Sequence, residues 1–306
     1  MDRFHEMQVF LAVAEEEGFA AAARRLNTSP PSVTRAIAAM EARIGTQLLA
    51  RTTRSLHLTE AGQRYLEDCR RILAELDEAE EAAAGSYSSP CGHLTVTAPV
   101  LFGERYVAPV LGDYLDRFPL VTLNALLVDR VVNLTDEGVD VAVRIGHLYE
   151  PGQQAIKVGE VRRVVCAAPA FLDQHGRPRH PAQLRDFKIV TSSASQRVNE
   201  WAFVDQGQPL TVPIDPRLVV TANNAAINLA CLGWGATQVL SYQIAAQVAA
   251  GELEIVLEAF EPPPLPIQVV FQQSARVPAK VSTFVDFLSR RLGQDAALNP
   301  AMTRRG

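Results

Sequence analysis

The sequence predicts a multidomain α/β protein, in which a small helical module and one long helix precede a larger region of alternating strands and helices. Three observations predict this fold class. Turn-forming residues divide the segment 18–62 into short helices, a helical pattern then continues unbroken to about Ala84, and strand-like and helix-like runs alternate beyond residue 92. With 306 residues, 48% of them hydrophobic, the chain can bury two or three cores of ordinary size.

The residues between 20 and 45 predict two helices joined by a tight turn. The first helix carries Ala22, Ala23 and Leu26, and Asn27 follows where a helix ends on a left-handed residue. Ser29 is a good N-cap, and the two prolines Pro30 and Pro31 fall in the first turn of the next helix, where a missing N–H has no intrahelical acceptor to lose. The apolar residues of that helix follow 3-4 spacing: Val33, Ala36, Ile37, Met40 and Ile44. This pattern predicts a helix-turn-helix whose second helix enters the major groove of DNA.

Positive charge is concentrated in the same segment, although the whole chain has a net charge of −5. Between Gly18 and Leu58 a single acid, Glu41, accompanies six arginines: Arg24, Arg25, Arg35, Arg43, Arg51 and Arg54. Phosphate contacts need such a cluster, which predicts strongly salt-dependent DNA binding. A solvated helix face is the alternative that charge alone leaves open.

The motifs of this segment are the run Ala21-Ala22-Ala23-Arg24-Arg25-Leu26, the run Leu58-Thr59-Glu60-Ala61-Gly62, and single residues between them: Ser29, Pro31, Val33, Arg35, Ile37, Glu41, Gly45, Leu48, Arg51, Thr52, Thr53 and Arg54. Together they resemble the N-terminal winged helix-turn-helix of LysR-type transcriptional regulators. The resemblance implies that a strand pair around 51–58 forms the wing and touches the DNA backbone or the minor groove.

Charge pattern and resemblance together predict the DNA-binding residues Arg24, Arg25, Ser29, Pro30, Pro31, Ser32, Thr34, Arg35, Arg51, Thr52, Thr53 and Arg54. Two positions depart from the family's pattern. Ala20 stands where the family usually has a Ser or Thr N-cap, and this loss costs about 1 kcal/mol of capping. Pro30 stands where many members carry a Gln, and it can offer a base only apolar contact, for example to a thymine methyl group.

Thr59 is predicted to cap a helix that runs to about Ala84. Its apolar residues form a heptad seam: Gly62, Tyr65, Cys69, Ile72, Leu76, Ala79 and Ala83. Because charged residues flank the seam, a second copy of the chain is expected to cover it, the alternative being a helix that lies on its own domain. In the resembled family this linker helix pairs two subunits. That implies a homodimer or homotetramer on a pseudo-palindromic operator in double-stranded DNA.

A turn-rich run, 85–92, separates this helix from the C-terminal region. Strands are predicted there at 94–98, 121–128 and 139–145, with helices at 103–118 and about 129–137, an order that implies parallel strands joined by crossovers. A second unit follows, with strands at 164–168, near Ile189, and at 210–213, 218–221 and 236–240, and with helices at 224–232 and 241–250. A last strand, 266–271, and a last helix, 278–292, return to the first unit.

The chain is therefore expected to cross between two lobes near 161–163 and near 262–266. Short runs, among them Thr97-Ala98-Pro99, 117–119, 139–146 and Gly233-Trp234-Gly235, resemble the effector domain of the same family and imply a two-lobed fold like that of periplasmic binding proteins. The predicted domains are a winged helix-turn-helix DNA-binding domain (1–58), a linker helix and hinge (59–88), and an effector-binding domain (89–306). Lobe I covers about 92–161 and 266–306, and lobe II covers about 162–265.

Ligands of open α/β sheets bind beyond the carboxyl ends of strands, where helix N-termini point N–H groups inward. This rule selects candidates from both lobes, and Trp201 is expected to close one wall. The effector-binding candidates are Pro99, Val100, Leu101, Phe102, Asp129, Ile145, Gly146, Thr191, Ser192, Ser193, Trp201, Asn223 and Asn224. Their hydroxyl, amide and aromatic groups suit a small anionic organic molecule. The alternative for each is a structural role: a loop for 191–193, a core position for Trp201, a helix cap for Asn224.

The sequence contains no catalytic pattern. It has no G-x-S-x-G elbow and no phosphate-binding loop, and its six histidines do not cluster at metal-ligand spacing, so neither an enzymatic activity nor a cofactor or metal is predicted. The four cysteines, Cys69, Cys91, Cys166 and Cys231, form no C-x-x-C pair, which suits a reducing compartment. Cys166 is either a redox sensor, as in some members of the resembled family, or a core residue. No apolar run of eighteen residues and no signal-peptide pattern occurs, so a cytoplasmic protein without a membrane partner is predicted.

Together these observations predict a homo-oligomeric transcriptional regulator whose C-terminal domain senses a small molecule. Closure of the lobes would change how the protein holds its operator and contacts RNA polymerase. Two alternatives remain. A ligand-independent architectural DNA-binding protein would explain residues 1–88, and a small-molecule-binding protein would explain residues 92–306.

Overall fold

The computed structural model describes residues 2–51, 56–83, 90–146, 150–194, 198–273 and 277–299. Within it the chain forms two compact units, residues 1–93 and residues 94–306. Each unit has its own buried apolar core.

Unit 1 combines helices with a short hairpin. Its elements are α1 (Arg3–Glu15), α2 (Phe19–Arg25), α3 (Pro30–Ile44), β1 (Leu49–Arg51), β2 (Leu56–Leu58) and α4 (Glu60–Ala83). The two strands are antiparallel, with Leu49 opposite Leu58, which agrees with the predicted wing. The core gathers apolar side chains from α1, α3 and α4, among them Phe10, Ile37 and Cys69. Ile44, predicted as part of the apolar row of α3, is 37% exposed because it is the last residue of the helix.

The start of α4 is determined by Thr59 and Gly62. The Oγ1 of Thr59 accepts a hydrogen bond from the Gly62 backbone N–H at 3.0 Å and donates one to the Gln47 carbonyl at 2.8 Å, so Thr59 caps the helix as predicted. Gly62 lies directly against the backbone of Leu48, where a Cβ would come within 2.0 Å of the carbonyl oxygen. This close approach, possible only for glycine, joins α4 to the residue before β1.

The first half of the predicted heptad seam packs inside unit 1. Tyr65 and Cys69 lie on the unit's own core, and the Tyr65 ring is 5.7 Å from that of Phe10. The expectation that a second chain covers the whole seam is therefore wrong for this half, and the alternative of a helix lying on its own domain holds there. Ile72 and Leu76, further along, remain partly exposed.

Unit 2 contains alternating strands and helices. Its elements in chain order are β3 (Gly92–Ala98), α5 (Val100–Phe102), a π-helical turn (Gly103–Val107), α6 (Ala108–Arg117), β4 (Val121–Leu127), β5 (Val141–Ile145), β6 (Gln153–Val161), β7 (Arg163–Ala167), α7 (Pro169–His175), a 3-10 turn (Pro181–Asp186), β8 (Val190–Ser192), β9 (Glu200–Asp205), β10 (Gln208–Pro213), β11 (Leu218–Val220), α8 (Asn223–Cys231), β12 (Thr237–Leu240), a 3-10 turn (Ser241–Ile244), α9 (Ala245–Ala249), β13 (Glu254–Val256), a 3-10 turn (Glu258–Phe260), β14 (Leu265–Gln272) and α10 (Ala279–Gly293).

A five-stranded sheet in the order β4-β3-β5-β14-β6 organises one half of unit 2, which we call lobe I together with α5, α6 and α10. β3 and β5 are parallel, as predicted, whereas β14 is antiparallel to both β5 and β6. β6 was not predicted from the sequence. Its residues 154–157 are exposed in succession, so the strand lacks the alternation by which half-buried strands are recognised.

The helix expected at 129–137 is absent, and that segment forms turns. The Oδ1 of Asn133 accepts hydrogen bonds from the backbone N–H groups of Thr135 at 3.0 Å and Asp136 at 3.2 Å. Such side-chain bonds compete with a helical ladder. The expectation is corrected accordingly.

The other half of unit 2, lobe II, contains β7–β13 with α7, α8 and α9. β7 lies between β12 and β13 and is antiparallel to both. Its side chains are buried on two faces, Val165 in one apolar cluster and Val164 and Cys166 in another. This explains its unbroken apolar sequence. α7, β9 and β13 were not predicted.

The chain passes from lobe I to lobe II between β6 and β7, and returns between Phe260 and β14. Arg162, the single residue between β6 and β7, lies at the first passage, and Glu261 lies at the second. The guanidinium of Arg162 donates to the carboxylate of Glu261 at 3.0 Å. The two passages are therefore joined side by side.

Candidate DNA-binding module and effector cavity

The turn between α2 and α3 has the geometry that its sequence predicts. Asn27 has φ 51°, in the left-handed region. The N–H of Thr28 donates to the Ala23 carbonyl at 2.9 Å, and the N–H of Asn27 donates to the Arg24 carbonyl at 3.2 Å. This pair of bonds is a Schellman motif, and it satisfies carbonyls at the end of α2 while turning the chain into α3.

The exposed start of α3 carries the polar side chains proposed for base contact. Ser29 caps the helix, and its hydroxyl lies 2.8 Å from that of Ser32. Arg35 donates to the Ser32 hydroxyl and to the Pro31 carbonyl, both at 3.4 Å, and Thr34 donates to the Pro30 carbonyl at 3.0 Å. The candidate residues 29–32, Thr34 and Arg35 therefore lie together on one end of α3, held by local hydrogen bonds.

The arginines of this module differ in their surroundings. Arg24 is exposed. Arg25 donates to Glu15 at 2.7 Å and to Glu16 at 3.4 Å, and the Glu15 hydrogen bond and charge raise the pKa of the guanidinium. Arg43 is paired with the buried Glu6 at 2.7 Å. Much of the charge of Arg25 and Arg43 is therefore compensated by α1.

The wing candidates can be placed only in part. Arg51 is the last residue of β1, and Thr52, Thr53 and Arg54 lie outside the described residues. The missing side-chain cap of α2 is found at Gly18, the N-cap residue, rather than at Ala20, which lies exposed within the first turn. The predicted loss of capping thus belongs to a different position.

Unit 2 contains a cavity of about 330 Å³ lined from both lobes. The effector-binding candidates that line it are Pro99, Asp129, Ile145, Gly146 and Asn223. Most of these follow the carboxyl end of a strand, and Asn223 is the first residue of α8. The rule that ligands bind beyond the carboxyl ends of strands therefore selected five residues that line the same cavity.

The other candidates do not line the cavity. Phe102 is fully buried in the core of lobe I, and Thr191 and Ser192 are buried in β8. Trp201 is 2% exposed and lies in β9 within the core of lobe II, so the expectation that it closes the cleft is corrected. The remaining four, Val100, Leu101, Ser193 and Asn224, also lie away from the cavity lining.

Two sets of contacts cross between the lobes beside the cavity. The carboxylate of Asp129 accepts a hydrogen bond from the side-chain amide of Asn223 in lobe II at 3.2 Å, and the Val100 backbone N–H, within lobe I, holds the same carboxylate at 3.1 Å. The ring of Tyr242, which follows β12, lies 5.3 Å from Phe102 and 6.0 Å from Tyr106. These contacts form a polar joint and an aromatic joint between the lobes.

Sequence reasoning missed several polar side chains of the cavity: Arg130, Arg144, Arg163, Gln238, Tyr242 and Gln243. One signal was present, since Arg144 is a charged residue within the apolar strand Val-Ala-Val-Arg-Ile. Arg163 and Gln238 lie on neighbouring antiparallel strands, and nothing in the sequence reports that register.

The cations of the cavity have different electrostatic surroundings. Arg144 is 7% exposed, and burial lowers its pKa; its guanidinium donates to the Val132 carbonyl. Arg130 is paired with both carboxylate oxygens of Glu137, and the Arg130 hydrogen bond lowers the pKa of that carboxyl. The Nε2 of Gln238 is buried and has no hydrogen-bond acceptor among the described residues.

The cysteines of lobe II are poor nucleophiles in this environment. Cys166 is fully buried, and burial raises the pKa of its thiol to about 12. Burial also raises the pKa of Cys231. The thiolate is the reactive form, so these surroundings favour the core interpretation of Cys166 over that of a redox sensor.

Across the described parts of the chain, no group of three or more His, Cys, Asp or Glu residues is arranged to hold a metal ion. Within the same ranges, no helix has the length and apolar character needed to span a membrane.

Comparison with known families finds a match for each unit. Residues 4–63 match the model of the bacterial regulatory helix-turn-helix protein, lysR family, and residues 88–293 match the model of the LysR substrate binding domain. A helix-turn-helix followed by this α/β domain confirms the predicted fold class.

Individual relatives cover nearly the whole chain. An HTH-type transcriptional regulator of Xanthomonas campestris pv. campestris is 34% identical over 94% of this chain and 85% of the relative. The HTH-type transcriptional activator AaeR of Escherichia coli is 28% identical over 100% of this chain and 99% of its own. The structure of CrgA, a LysR-type transcriptional regulator from Neisseria meningitidis, has a TM-score of 0.61 at 28% identity, over 95% of this chain and 99% of CrgA.

Proposed function

The chain belongs to the LysR-type family of transcriptional regulators, and from this premise we propose that it is a sequence-specific DNA-binding regulator controlled by a small anionic organic effector. The effector binds in the cavity between lobes I and II. The observation that carries the proposal is the presence, on one chain, of a helix-turn-helix with an exposed polar recognition helix and of a cavity lined from two lobes. Its relatives are named as transcriptional regulators and not as enzymes.

The N-terminal end of α3 reads the operator in this proposal. Ser32, Thr34 and Arg35 face base edges in the major groove, and Pro30 makes apolar contact. Arg24 and the wing residues 51–54 contact the DNA backbone, and Arg25 contributes less because α1 compensates its charge. Pro30 and Arg35 are exposed and Ser32 and Thr34 are half-buried. This accessibility supports the assignment, as do the hydrogen bonds that Ser32 makes with Ser29 and Arg35.

Each predicted domain has its own role in this proposal. Residues 1–58 bind DNA, residues 59–88 form the dimerisation helix and the hinge, and residues 89–306 bind the effector. The part of α4 that carries the partly exposed Ile72 and Leu76 pairs with the same part of a second chain, giving a homodimer or homotetramer. Two recognition helices then meet a pseudo-palindromic operator. A regulator of this kind acts on genomic DNA in the cytoplasm and communicates with RNA polymerase.

The effector acts by binding two arrangements of the lobes unequally. Asp129 and Asn223 already join the lobes beside the cavity, and Arg162 and Glu261 join the two chain passages. A ligand that contacts both lobes favours the arrangement in which its contacts are complete. The shift toward this arrangement of the lobes alters the spacing or bend that the two DNA-binding domains of a dimer impose on the operator.

Nuclease footprinting of the full chain on the DNA flanking its own gene tests the proposal. We expect two protected half-sites about 10 base pairs apart, or a multiple of that spacing, with a pattern that changes when a cavity ligand is added. Protection without sequence preference supports the architectural alternative, and absence of DNA binding supports a small-molecule-binding protein. Either result contradicts the proposal, as does a footprint that no bound ligand alters.

A matched pair of variants assigns the DNA contacts. Arg35→Ala should weaken specific binding by about 1–3 kcal/mol if the guanidinium reads a base. Arg185→Ala removes an equally charged but strongly exposed arginine from unit 2 and should leave binding as it is. Equal effects of the two changes would show a general loss of charge rather than base recognition.

A further inference from the structure

The cavity of unit 2 holds cationic side chains from both lobes. Arg144 extends from β5 of lobe I, where its cross-strand neighbour is Gln268 of β14. Arg163 begins β7 of lobe II. A single anionic group placed between them would contact both lobes at once.

The register of β7 and β12 places an amide beside Arg163. Leu240 is directly opposite Arg163, and Gln238 stands two residues away on the same strand, hence on the same face. Such diagonal neighbours lie within about 7–8 Å at their Cβ atoms, within reach of two long side chains. The buried Nε2 of Gln238 has no acceptor among the described residues. A buried donor of this kind is costly unless an acceptor is supplied, and a carboxylate supplies one.

The desolvation of Arg144 points in the same direction. Burial lowers the pKa of its guanidinium, because a charge removed from water is destabilised. Its guanidinium donates to the Val132 carbonyl, and the charge of Glu150 offsets part of the effect of burial on its pKa. A ligand carboxylate would stabilise this charge further, whereas a neutral ligand of the same shape would not.

The same cavity also contains a carboxylate and an apolar wall. Asp129 accepts hydrogen bonds from two neutral donors, so a second carboxylate on a ligand would meet a like charge there. Val131, Val239, Leu265 and the ring of Tyr242 provide apolar surface. A volume of about 330 Å³ is at the small end of the usual range of ligand pockets, about 300–1,000 Å³.

We infer that the effector is a small monocarboxylate with a compact apolar body, whose carboxylate binds Arg144 of lobe I together with Arg163 and Gln238 of lobe II. Asp129 excludes dicarboxylates from the same cavity. This inference rests on the proposed function and names the chemical class of its effector. Because the carboxylate contacts both lobes, the ligand binds more tightly to the arrangement in which all these contacts are made. This difference in affinity between two arrangements is what a ligand-driven lobe movement requires.

Binding of matched compounds to the full chain tests this class. The acids are 3-methylbutanoate, cyclohexanecarboxylate and benzoate, each paired with its carboxamide, and benzene-1,4-dicarboxylate is the diacid. We expect at least one monocarboxylate to raise the melting temperature at millimolar concentration, with its carboxamide and the diacid binding at least tenfold more weakly in calorimetric titration. A carboxamide or the diacid that binds as tightly as the monocarboxylates overturns the inference, as does the absence of any stabilisation by the acids.

Variants of the cavity locate the carboxylate. Gln238→Leu and Arg163→Gln should each weaken monocarboxylate binding about tenfold or more. Arg130→Gln removes a positive charge from the same wall, but one already paired with Glu137, and should have a clearly smaller effect. An equal loss in Arg130→Gln would show a general charge effect and refute the carboxylate site. Asp129→Asn should improve binding of the diacid at least tenfold, and no improvement would refute its excluding role.

The outcome is distinguishable from failure of the proposed function. A neutral compound that stabilises unit 2 and changes the operator footprint would leave the proposed regulator intact while refuting the carboxylate class. Failure of the full chain to bind DNA selectively would refute the regulator, whatever the cavity binds.

Discussion

Replacement of Gly62 by alanine should destabilise unit 1, although alanine is the better helix former. A Cβ at this position would lie 2.0 Å from the carbonyl oxygen of Leu48 and 2.9 Å from its carbonyl carbon. Side-chain carbon atoms essentially never approach closer than 3.0 Å, so the backbone of Leu48 or of α4 must move by about 1 Å. Both groups are main chain, and no flexible side chain can absorb the change.

The magnitude follows from two opposing contributions. Overpacking of this kind typically costs about 1–3 kcal/mol. The gain in helix propensity from glycine to alanine offsets at most about 1 kcal/mol of it. Gly112 offers the matched control, because it lies exposed in the middle of α6 and a Cβ there would meet nothing within 4 Å. Gly112→Ala should therefore stabilise unit 2 by about 0.5–1 kcal/mol.

Urea denaturation of the full chain separates the two units. Both tryptophans, Trp201 and Trp234, are in unit 2, so their fluorescence follows that unit, whereas far-ultraviolet circular dichroism follows both. The part of the dichroism change that is not accompanied by a fluorescence change reports unit 1, and Gly62→Ala should lower its urea midpoint by about 0.5–1 M. Gly112→Ala should raise the urea midpoint of the fluorescence change. A neutral or stabilising Gly62→Ala would refute the claim that the contact with Leu48 requires glycine.

Three further predictions concern DNA contact, capping and pH. Arg24→Ala should weaken DNA binding uniformly across sequences and reduce the slope of log affinity against log salt concentration by about 0.9. Arg25→Ala should reduce this slope less, because Glu15 and Glu16 already compensate the charge of Arg25. Gel shifts at several salt concentrations measure the two slopes, and equal reductions would contradict the assignment. Thr59→Ala should destabilise unit 1 by about 1 kcal/mol and Thr59→Ser much less, as measured by the same urea titration; equal losses would show that the hydroxyl does not act as the cap. Burial raises the pKa of Cys166 and of Tyr114 to about 12 in the folded chain, above the unfolded values of about 8.5 and 10. The unfolded chain therefore loses these protons at lower pH than the folded chain does. The stability of unit 2 should fall as pH rises from about 9 to about 12. Thermal unfolding followed by tryptophan fluorescence checks this, and a flat profile between pH 9 and 11 would contradict it.

Features that depend on neighbours within one helical turn were predictable. Asn27, Ser29 and Thr59 all take the positions that their side chains and turn preferences indicate, because the hydrogen bonds that form the turn and the helix caps reach only three to five residues along the chain. The same local reasoning also failed. It assigned a helix to 129–137, where the side chain of Asn133 bonds the backbone and competes with the helical ladder.

Features that depend on distant partners were not predictable. The heptad spacing of α4 identifies an apolar face, yet Tyr65 and Cys69 bury it against α1 of the same unit, and spacing alone cannot distinguish that partner from a second chain. Trp201 is large and aromatic, and it occupies the core of lobe II rather than the cavity, because β9 pairs with β10 in a hairpin that the pattern did not reveal.

The sequence by itself determined the class of this protein. Turn residues, a local cluster of arginines and a family resemblance identify a helix-turn-helix module and an α/β substrate-binding domain, since each depends on short stretches of chain. The tertiary structure alone decided which polar groups meet in the cavity. Arg144, Arg163 and Gln238 lie on different strands of the two lobes. They line one cavity because of the register of those strands and the way the two lobes pack together. Register is a non-local property, because a shift of one residue turns every side chain of a strand to the opposite face.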